Sequence, residues 1–326
     1  MNLPNPIFLG FDIGGTNIRG LAIRSDNSIS ELLSERCNDN YGEILQAIVR
    51  ISDQIQLQEN TQIGGIGIGV AGFVDNYGVV RTSPNLSTFN DFPILKNLEQ
   101  KFDAPVLVEN DATSATWAEV KRGAAQGSAN TIMVCLGTGI GAGLYLNHEL
   151  FRGNSGFAGE VGHITVVPGG LPCPCGRLGC WERYASGSSL GEIAESLLIS
   201  GEIVSSDSRI NDEARPFQNE WIAQLVLDGD LGARKVLDRL GYWLALGIAN
   251  LVNIFDPERI VIGGAITELG SYLIDPVREN FELMTPEQSL REEGLITLAK
   301  FGNRAGAVGA ALLAKERFLD MENKKR

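Results

Sequence analysis

One histidine and three cysteines are spaced to hold a single metal ion: His163, then Cys173-Pro-Cys175-Gly-Arg-Leu-Gly-Cys180. Three thiolates and an imidazole suit tetrahedral Zn²⁺, and Gly176 and Gly179 give the short loop the backbone freedom to wrap it. A closed four-ligand site leaves no open position for chemistry, so the ion is expected to be structural. Its use would lie in what it aims. Glu160 stands three residues before the histidine and Glu182 two after the last cysteine, so the pinned loop carries carboxylates toward a polar pocket, and a ligating imidazole commonly offers its second nitrogen to a partner such as a substrate hydroxyl. Disulfides explain the pattern poorly. The cysteine total is five, and Met1–Pro6 lacks the basic and apolar regions of a secretory signal, which points to a reducing cytoplasm.

Two glycine turns form a second constellation. Gly14, Gly15 and Thr16 follow one apolar run, and Gly137, Thr138, Gly139 and Gly141 follow another. Either turn alone reads as an ordinary hairpin; as a pair, they can present backbone N–H groups to the oxygens of a phosphate chain. Asp12 precedes the first turn, where a carboxylate would repel phosphate unless a cation bridged them, so it is placed to hold Mg²⁺ through water. Asn110-Asp111 lies between the run Pro105-Val-Leu-Val108 and a helical pattern. There, Asp111 can cap the helix, or it can take a hydroxyl proton as a phosphoryl group is transferred.

Other motifs are excluded by context. Gly67-Ile-Gly-Val-Ala-Gly72 has dinucleotide-binding spacing, but Phe-Val-Asp-Asn-Tyr-Gly follows it and no helix opens there. No Gly-Lys-Ser/Thr sequence occurs, which removes a Walker A loop. His148 lies in a predicted turn, and Cys37 and Cys135 stand outside the cluster as ordinary thiols.

The elements that must position these residues follow from apolar periodicity. Ile7–Ile23 and Thr131–Leu146 each read as strand, glycine turn, strand, which suggests an internal duplication. Between them, helices are expected near 43–56 and after Asp111, with a strand near 66–70. Later come helices near 181–199 and 231–255, a strand over Arg259–Ile262 ending in Gly263-Gly264, and a last helix after Gly306. Ser205–Gln218 reads as a loop and Lys324–Arg326 as a solvated tail. With 326 residues and 44% hydrophobic content, the chain suits an α/β fold of two lobes around a cleft. The expected boundaries are 1–117 for a small lobe, completed by a C-terminal helix over 305–326, and 118–304 for a large lobe carrying the zinc loop. A net charge of −13 argues against nucleic-acid or anionic-membrane partners. The apolar segment Leu240–Phe255, interrupted by Asn250 and Asn253, falls short of the ~20 residues of a membrane span.

These residues together resemble the ROK family of sugar kinases and repressors, with the two-lobed hexokinase/actin-like (ribonuclease H-like) ATPase fold. Asp12-Ile-Gly-Gly-Thr16 resembles the family's first phosphate loop, Gly137-Thr-Gly-Ile-Gly141 its second, and Val261-Ile-Gly-Gly264 with Gly306 its adenosine segment. The resemblance thus implies ATP and Mg²⁺ held by Asp12, Gly14, Gly15, Thr16, Asn17, Gly137, Thr138, Gly139, Gly141, Gly263, Gly264 and Gly306. Glu109-Asn-Asp-Ala112 resembles the catalytic segment, making Asp111 the base and Asn110 a sugar ligand. Glu160-Val-Gly-His163 and Cys173-x-Cys-Gly-x-x-Gly-Cys-x-Glu182 resemble the sugar and zinc signature, so Glu160, His163 and Glu182 are expected on sugar hydroxyls, with Asn85 a further contact. Structural Zn²⁺ would be held by His163, Cys173, Cys175 and Cys180.

Within the family, Gly179–Ser186 is most similar to glucokinases, which implies phosphorylation of the 6-hydroxyl of glucose. Fructose, mannose and N-acetylhexosamines are the alternatives within kinases, because carboxylates that bind hydroxyls do not identify an epimer. A sugar-responsive regulator is the alternative outside them; six residues before the first strand and the acidic charge are expected to disfavour a DNA-binding helix-turn-helix. Family members are often homodimers.

Overall fold

In the computed structural model, residues 5–36, 38–84, 86–204, 209–210, 218–286 and 294–324 are described. The chain divides into two compact units, Met1–Gly127 with Gly143–Gly159 and Asn303–Arg326, and Ser128–Ala142 with Glu160–Gly302.

The first unit opens on the expected hairpin. β1 (Ile7–Ile13) pairs antiparallel with β2 (Asn17–Ile23), and this register sets Asp12 opposite Arg19. β3 (Leu33–Arg36) lies outside β2; after α1 (Tyr41–Glu59), β4 (Ile63–Val70) returns parallel to β1. A small ribbon of β5 (Phe73–Val74) and β6 (Val80–Thr82) and the short α2 (Ile94–Glu99) precede β7 (Val106–Asn110), which runs parallel to β4 and leads directly into α3 (Asp111–Arg122). The sheet order is therefore β3-β2-β1-β4-β7. Its core is the apolar face of β1, β4 and α1, with Leu9, Phe11, Ile44, Ile48, Ile66 and Ile68 buried. The other face takes the C-terminal helix, Ala305–Lys324, and three glycines permit the approach. A Cβ at Gly10 or Gly67 would overlap the backbone of Ala307 or Ala310, and one at Gly309 would overlap the Ser114 carbonyl of α3. Gly67 thus serves helix-on-sheet packing, in accord with the exclusion of a dinucleotide loop.

A second sheet repeats the order. β8 (Thr131–Leu136), β9 (Ile140–Leu146), β10 (Glu149–Leu150), β11 (Arg259–Gly263) and β12 (Ile296–Leu298) form a sheet ordered β10-β9-β8-β11-β12, and the chain passes from one unit to the other within β9. The helix expected over 181–199 is broken. α4 (Glu182–Ala185) stops at Ser186, whose ψ of 165° is extended, and a 3₁₀ turn at Gly187–Ser189 precedes α5 (Leu190–Ile199). Serine hydroxyls compete for helical carbonyls here, Ser189 Oγ bonding the Ser186 carbonyl at 2.7 Å. α6 (Asn219–Leu227) leads to α7 (Leu231–Phe255), capped by Asp230 and ended by Asp256 in the left-handed region at φ 43°. α8 (Ser271–Met284) follows, and the C-terminal helix is α9. His148 is exposed in the β9–β10 turn, and Cys135 lies in β8. Cys37, most of the expected 205–218 loop and the end of the 324–326 tail lie outside the described residues. No described helix is long and apolar enough to cross a membrane.

The close packing of α3 on α9 gives a first prediction. Gly309→Ala should destabilise the protein by about 1–3 kcal/mol, or prevent folding, because neither backbone has room for the methyl group. An unchanged urea midpoint would show that the helices are not packed this closely.

Candidate active site

In the first unit, Asp12 is next to last in β1, two positions before Gly14, and the glycine turn is closed by the Gly14 N–H donating to the Asn17 carbonyl at 3.0 Å. Gly14, Gly15 and Asn17 are half-buried and Thr16 is exposed, its Oγ1 accepting from Asn17 Nδ2 at 3.1 Å. Burial, then the nearby Asp111 carboxylate, push the Asp12 pKa up to about 6, against the opposing pull of Arg19 at 3.3 Å. Arg19 was not among the residues singled out from sequence. Counting pairs back from the hairpin turn would have found it.

Asn110, not Asp111, is the N-cap of α3: its Oδ1 accepts from the Thr113 N–H at 3.0 Å. Its Nδ2 donates to the Gly72 carbonyl at 3.1 Å and to Asp111 Oδ1 at 3.0 Å. Asp111 occupies the first helical position and accepts the Ala112 N–H at 2.8 Å. The helix terminus thus holds the carboxylate in one orientation, while burial keeps its pKa above the ordinary carboxylate range. Gly306, in the first turn of α9, lies over Asp12; a Cβ there would stand 3.0 Å from the Asp12 Cγ. The acid pair, the first glycine turn and Gly306 therefore belong to one unit, while Asn85 lies outside the described residues.

The second unit holds the remaining candidates. Gly137 and Thr138 are exposed at the β8–β9 turn, where the Gly137 N–H donates to the Gly139 carbonyl at 3.0 Å and Ser188 Oγ holds the Thr138 carbonyl at 2.5 Å. Gly141 follows in β9. Gly263 ends β11, and Gly264, at φ 106°, lies so close to the Leu136 carbonyl that a side chain would overlap it.

His163, Cys173, Cys175 and Cys180 converge, their candidate donor atoms all within 4.8 Å of one another. Tetrahedral Zn²⁺ with its usual bond lengths would separate two sulfurs by about 3.8 Å and sulfur from nitrogen by about 3.5 Å. The Cys175–Cys180 sulfurs stand 3.6 Å apart and Cys173 Sγ stands 3.8 Å from His163 Nδ1, so the donor set fits one ion. His163 turns Nδ1 toward the sulfurs and Nε2 toward Glu160, at 3.8 Å. Glu182 Oε1 lies 2.9 Å from Cys173 Sγ and 3.5 Å from His163 Nδ1, and its carboxylate also fills the space beside Gly139. The structure thus gathers Glu160, His163 and Glu182 around the cysteine cluster and brings Glu182 to the second glycine turn.

Two aromatic anchors, not singled out from sequence, seat this loop. Trp181 is fully buried, occupies the space a side chain at Gly247 would fill and donates Nε1–H to the Trp243 carbonyl at 2.7 Å. Tyr184 stacks obliquely on Trp243 at 4.7 Å and accepts the Leu171 N–H at 2.7 Å.

Two units that repeat one strand order, each opening on a glycine turn, define a chain of the hexokinase/actin-like fold. The ROK family model matches residues 8–317. The chain is 32% identical over 326 residues to a glucokinase of Halalkalibacterium halodurans, with 97% of each covered. It is 30% identical to the xylose repressor of Bacillus subtilis, covering 96% of this chain and 78% of that protein. Among solved structures, a ROK family glucokinase from Streptomyces griseus in complex with glucose and AMPPNP matches with a TM-score of 0.85 at 32% identity, over 95% of this chain and 99% of that one. The protein belongs to the ROK family.

Two predictions follow the geometry. Purified protein should carry about one zinc per chain by elemental analysis, and Cys175→Ser should lose it; unchanged metal content would refute the ligand set. In protein free of metal and nucleotide, Asp12 holds a proton in the folded state between its ordinary pKa of 3.8 and about 6, so folding stability should fall as pH rises through that window. With its side chain 17% exposed, Asp12→Asn should remove that slope and stabilise the protein by about 2 kcal/mol at pH 7; denaturant midpoints at pH 4 and 7 measure it, and equal slopes in both proteins would contradict it.

Proposed function

We propose that this protein is an ATP-dependent hexose kinase, that its sugar is glucose, and that Asp111 is the general base for transfer to the 6-hydroxyl. The observation that carries this reading is the placement of Asp111. A buried carboxylate with a raised pKa, fixed at a helix terminus beside a second acid and a glycine turn, has the proton affinity and rigidity asked of a base in phosphoryl transfer. Asp111 takes the hydroxyl proton as the sugar oxygen attacks the terminal phosphorus and ADP departs. Backbone N–H groups of Gly14, Gly15 and Thr16, and of Gly137, Thr138, Gly139 and Gly141, hold phosphate oxygens, with Gly263, Gly264 and Gly306 assigned to the adenosine. Asp12 and Asn17 border the phosphates. Two neighbouring buried acids are a donor set suited to a hard cation, so Asp12 would hold Mg²⁺ through water; that ion supplies neutralisation of charge on the phosphates.

Glu160, His163 through Nε2, Glu182 and Asn85 are assigned to the sugar hydroxyls. Asn110 shares that assignment, although its side chain is already engaged in capping α3 and holding Asp111. Zn²⁺ supplies rigidity to the loop that carries His163 and Glu182. In this reading the enzyme works in a reducing cytoplasm, as a homodimer, where hexose enters glycolysis. Support comes from the glucokinases among its relatives and from the glucose and AMPPNP bound to the Streptomyces griseus protein.

The likeness to xylose repressors raises a second reading, a sugar-responsive regulator. The presence of both Asp12 and Asp111 and the net charge of −13 favour the kinase. ADP release from MgATP across glucose, fructose, mannose, N-acetylglucosamine and N-acetylmannosamine discriminates among these. Selective turnover with glucose is expected, and Asp111→Asn should lower it by about 10²–10⁴-fold with little change in glucose affinity. Near-parental turnover in Asp111→Asn would disprove the assigned base, and silence with every sugar would favour the regulator.

A further inference from the structure

Within the first unit, the strand that leads into Asp111 carries an ion pair between a buried carboxylate and a half-exposed arginine that the proposed reaction does not use. Glu109, next to last in β7, is 7% exposed. One oxygen, Oε2, accepts from Arg152 Nε at 2.6 Å; the other accepts the backbone N–H of Asn110 at 3.1 Å. The neighbouring acids have cations of their own, Asp75 being paired with Arg81 at 2.7 Å and Glu316 with Lys121 at 3.2 Å. Arg152 is therefore matched to Glu109, across 43 residues of chain.

The loop that presents Arg152 is itself braced. The Arg152 carbonyl accepts the Ala158 N–H at 3.1 Å, Asn76 Nδ2 donates to the Asn154 carbonyl at 3.1 Å, and Phe157 meets Phe73 edge-on at 5.5 Å. At φ 93°, Gly156 lies against the Val74–Asp75 backbone with no room for a side chain. A continuous chain of hydrogen bonds then runs from this loop through Arg152, the Glu109 carboxylate, the Asn110 N–H and the Asn110 side chain to Asp111 Oδ1. Each member has a defined partner, so an error at one end is passed along.

We propose that Glu109 and Arg152 are positioning residues that fix Asn110, and through it the Asp111 carboxylate, in its working orientation; this rests on the reading of Asp111 as the base. Neither touches the reacting atoms. Arg152 neutralises a buried charge two residues from the base and holds the Glu109 oxygens so that one of them always faces the Asn110 N–H. Without it, the Glu109 carboxylate is left buried and unpaired, and it must move toward water or repel Asp111.

Steady-state kinetics on the full-length protein test this, each variant's folding being read from its urea midpoint. Arg152→Met should lower kcat by about 10–100-fold, the scale of a misplacement near 1 Å, with KM for MgATP within about threefold of the parent. Adding Glu109→Gln removes the stranded charge yet keeps an acceptor for the Asn110 N–H, and at least about tenfold of the lost kcat should return. A role confined to packing the loop would give no such recovery. Parental kcat in folded Arg152→Met, or a loss that Glu109→Gln does not relieve, would overturn the inference. If Arg152→Met fails to fold, Glu109→Leu serves instead, because it fills the space without offering an acceptor; a kcat at least tenfold lower at unchanged MgATP KM supports the proposal, and an unchanged kcat refutes it. Asp111→Asn is assayed alongside. Turnover retained there would sink the reading of the base, whereas its loss together with full activity in Arg152→Met would sink only the positioning role.

Discussion

The first unit is organised around tolerance of two neighbouring, largely desolvated carboxylates. Asp12 and Asp111 raise each other's cost of ionisation, and a fold keeps such a pair only if its surroundings compensate. The compensation comes from three directions. Arg19 is delivered by the hairpin register, the α3 terminus supplies the Ala112 N–H, and Asn110 bridges from cap to carboxylate. Each depends on a backbone feature elsewhere: the length of the first glycine turn sets the Arg19 register, and the run of β7 directly into α3 puts Asp111 at the first helical position. Gly306 belongs to the same account, since a side chain there would press on the Asp12 carboxylate. The glycines at Gly10, Gly67 and Gly309 let α9 lie close enough for its first turn to reach that place.

Much of this architecture was legible because it is local. Strand, glycine turn and strand are contiguous in sequence, and their repetition pointed to a duplicated core motif; the two sheets share one strand order. The cysteine loop was equally readable, since three of its ligands fall within eight residues and only one geometry of metal suits three thiolates and an imidazole. What escaped was either a competition between neighbours or a contact distant in sequence. Asn110 and Asp111 are both good caps, and only the backbone, with Asn110 extended at ψ 146°, shows which one precedes the helix. The break at Ser186 falls in Ser186-Gly-Ser-Ser189, where Ser189 Oγ donates to the Ser186 carbonyl and Ser188 Oγ to the distant Thr138 carbonyl, effects that apolar periodicity does not register. The place of Trp181 on Gly247, 66 positions away, which lets it seat the cysteine loop, has no local sequence signal.

That last contact bears on how the metal loop is held. A zinc knot fixes its ligands relative to one another but does not by itself orient them in the protein. Trp181, between Cys180 and Glu182, ties the cysteine loop to α7 through one indole hydrogen bond and a packing site that only glycine leaves open. Tyr184 ties the near side of the loop to the same helix through Trp243 and the Leu171 N–H. The aromatic anchors therefore set the orientation of the loop on the unit, independently of what draws its four donor groups together.

The duplication also explains why only one glycine turn carries an acid. Both units keep the hairpin, so both keep a row of backbone N–H groups suited to anionic oxygens. Both strands close on an apolar residue, Ile13 and Leu136, and the difference lies one position earlier: Asp12 in the first, Cys135 in the second. Leu136 is buried, and its carbonyl lies against Gly264, so that strand end is committed to packing β8 on the segment after β11. A carboxylate at Cys135 would be half-buried with no partner comparable to Arg19 on the opposing strand, where the hairpin offers glycines and apolar residues. The repeated backbone thus provides two glycine turns, while only the first is preceded by an acid with a cationic partner across the hairpin.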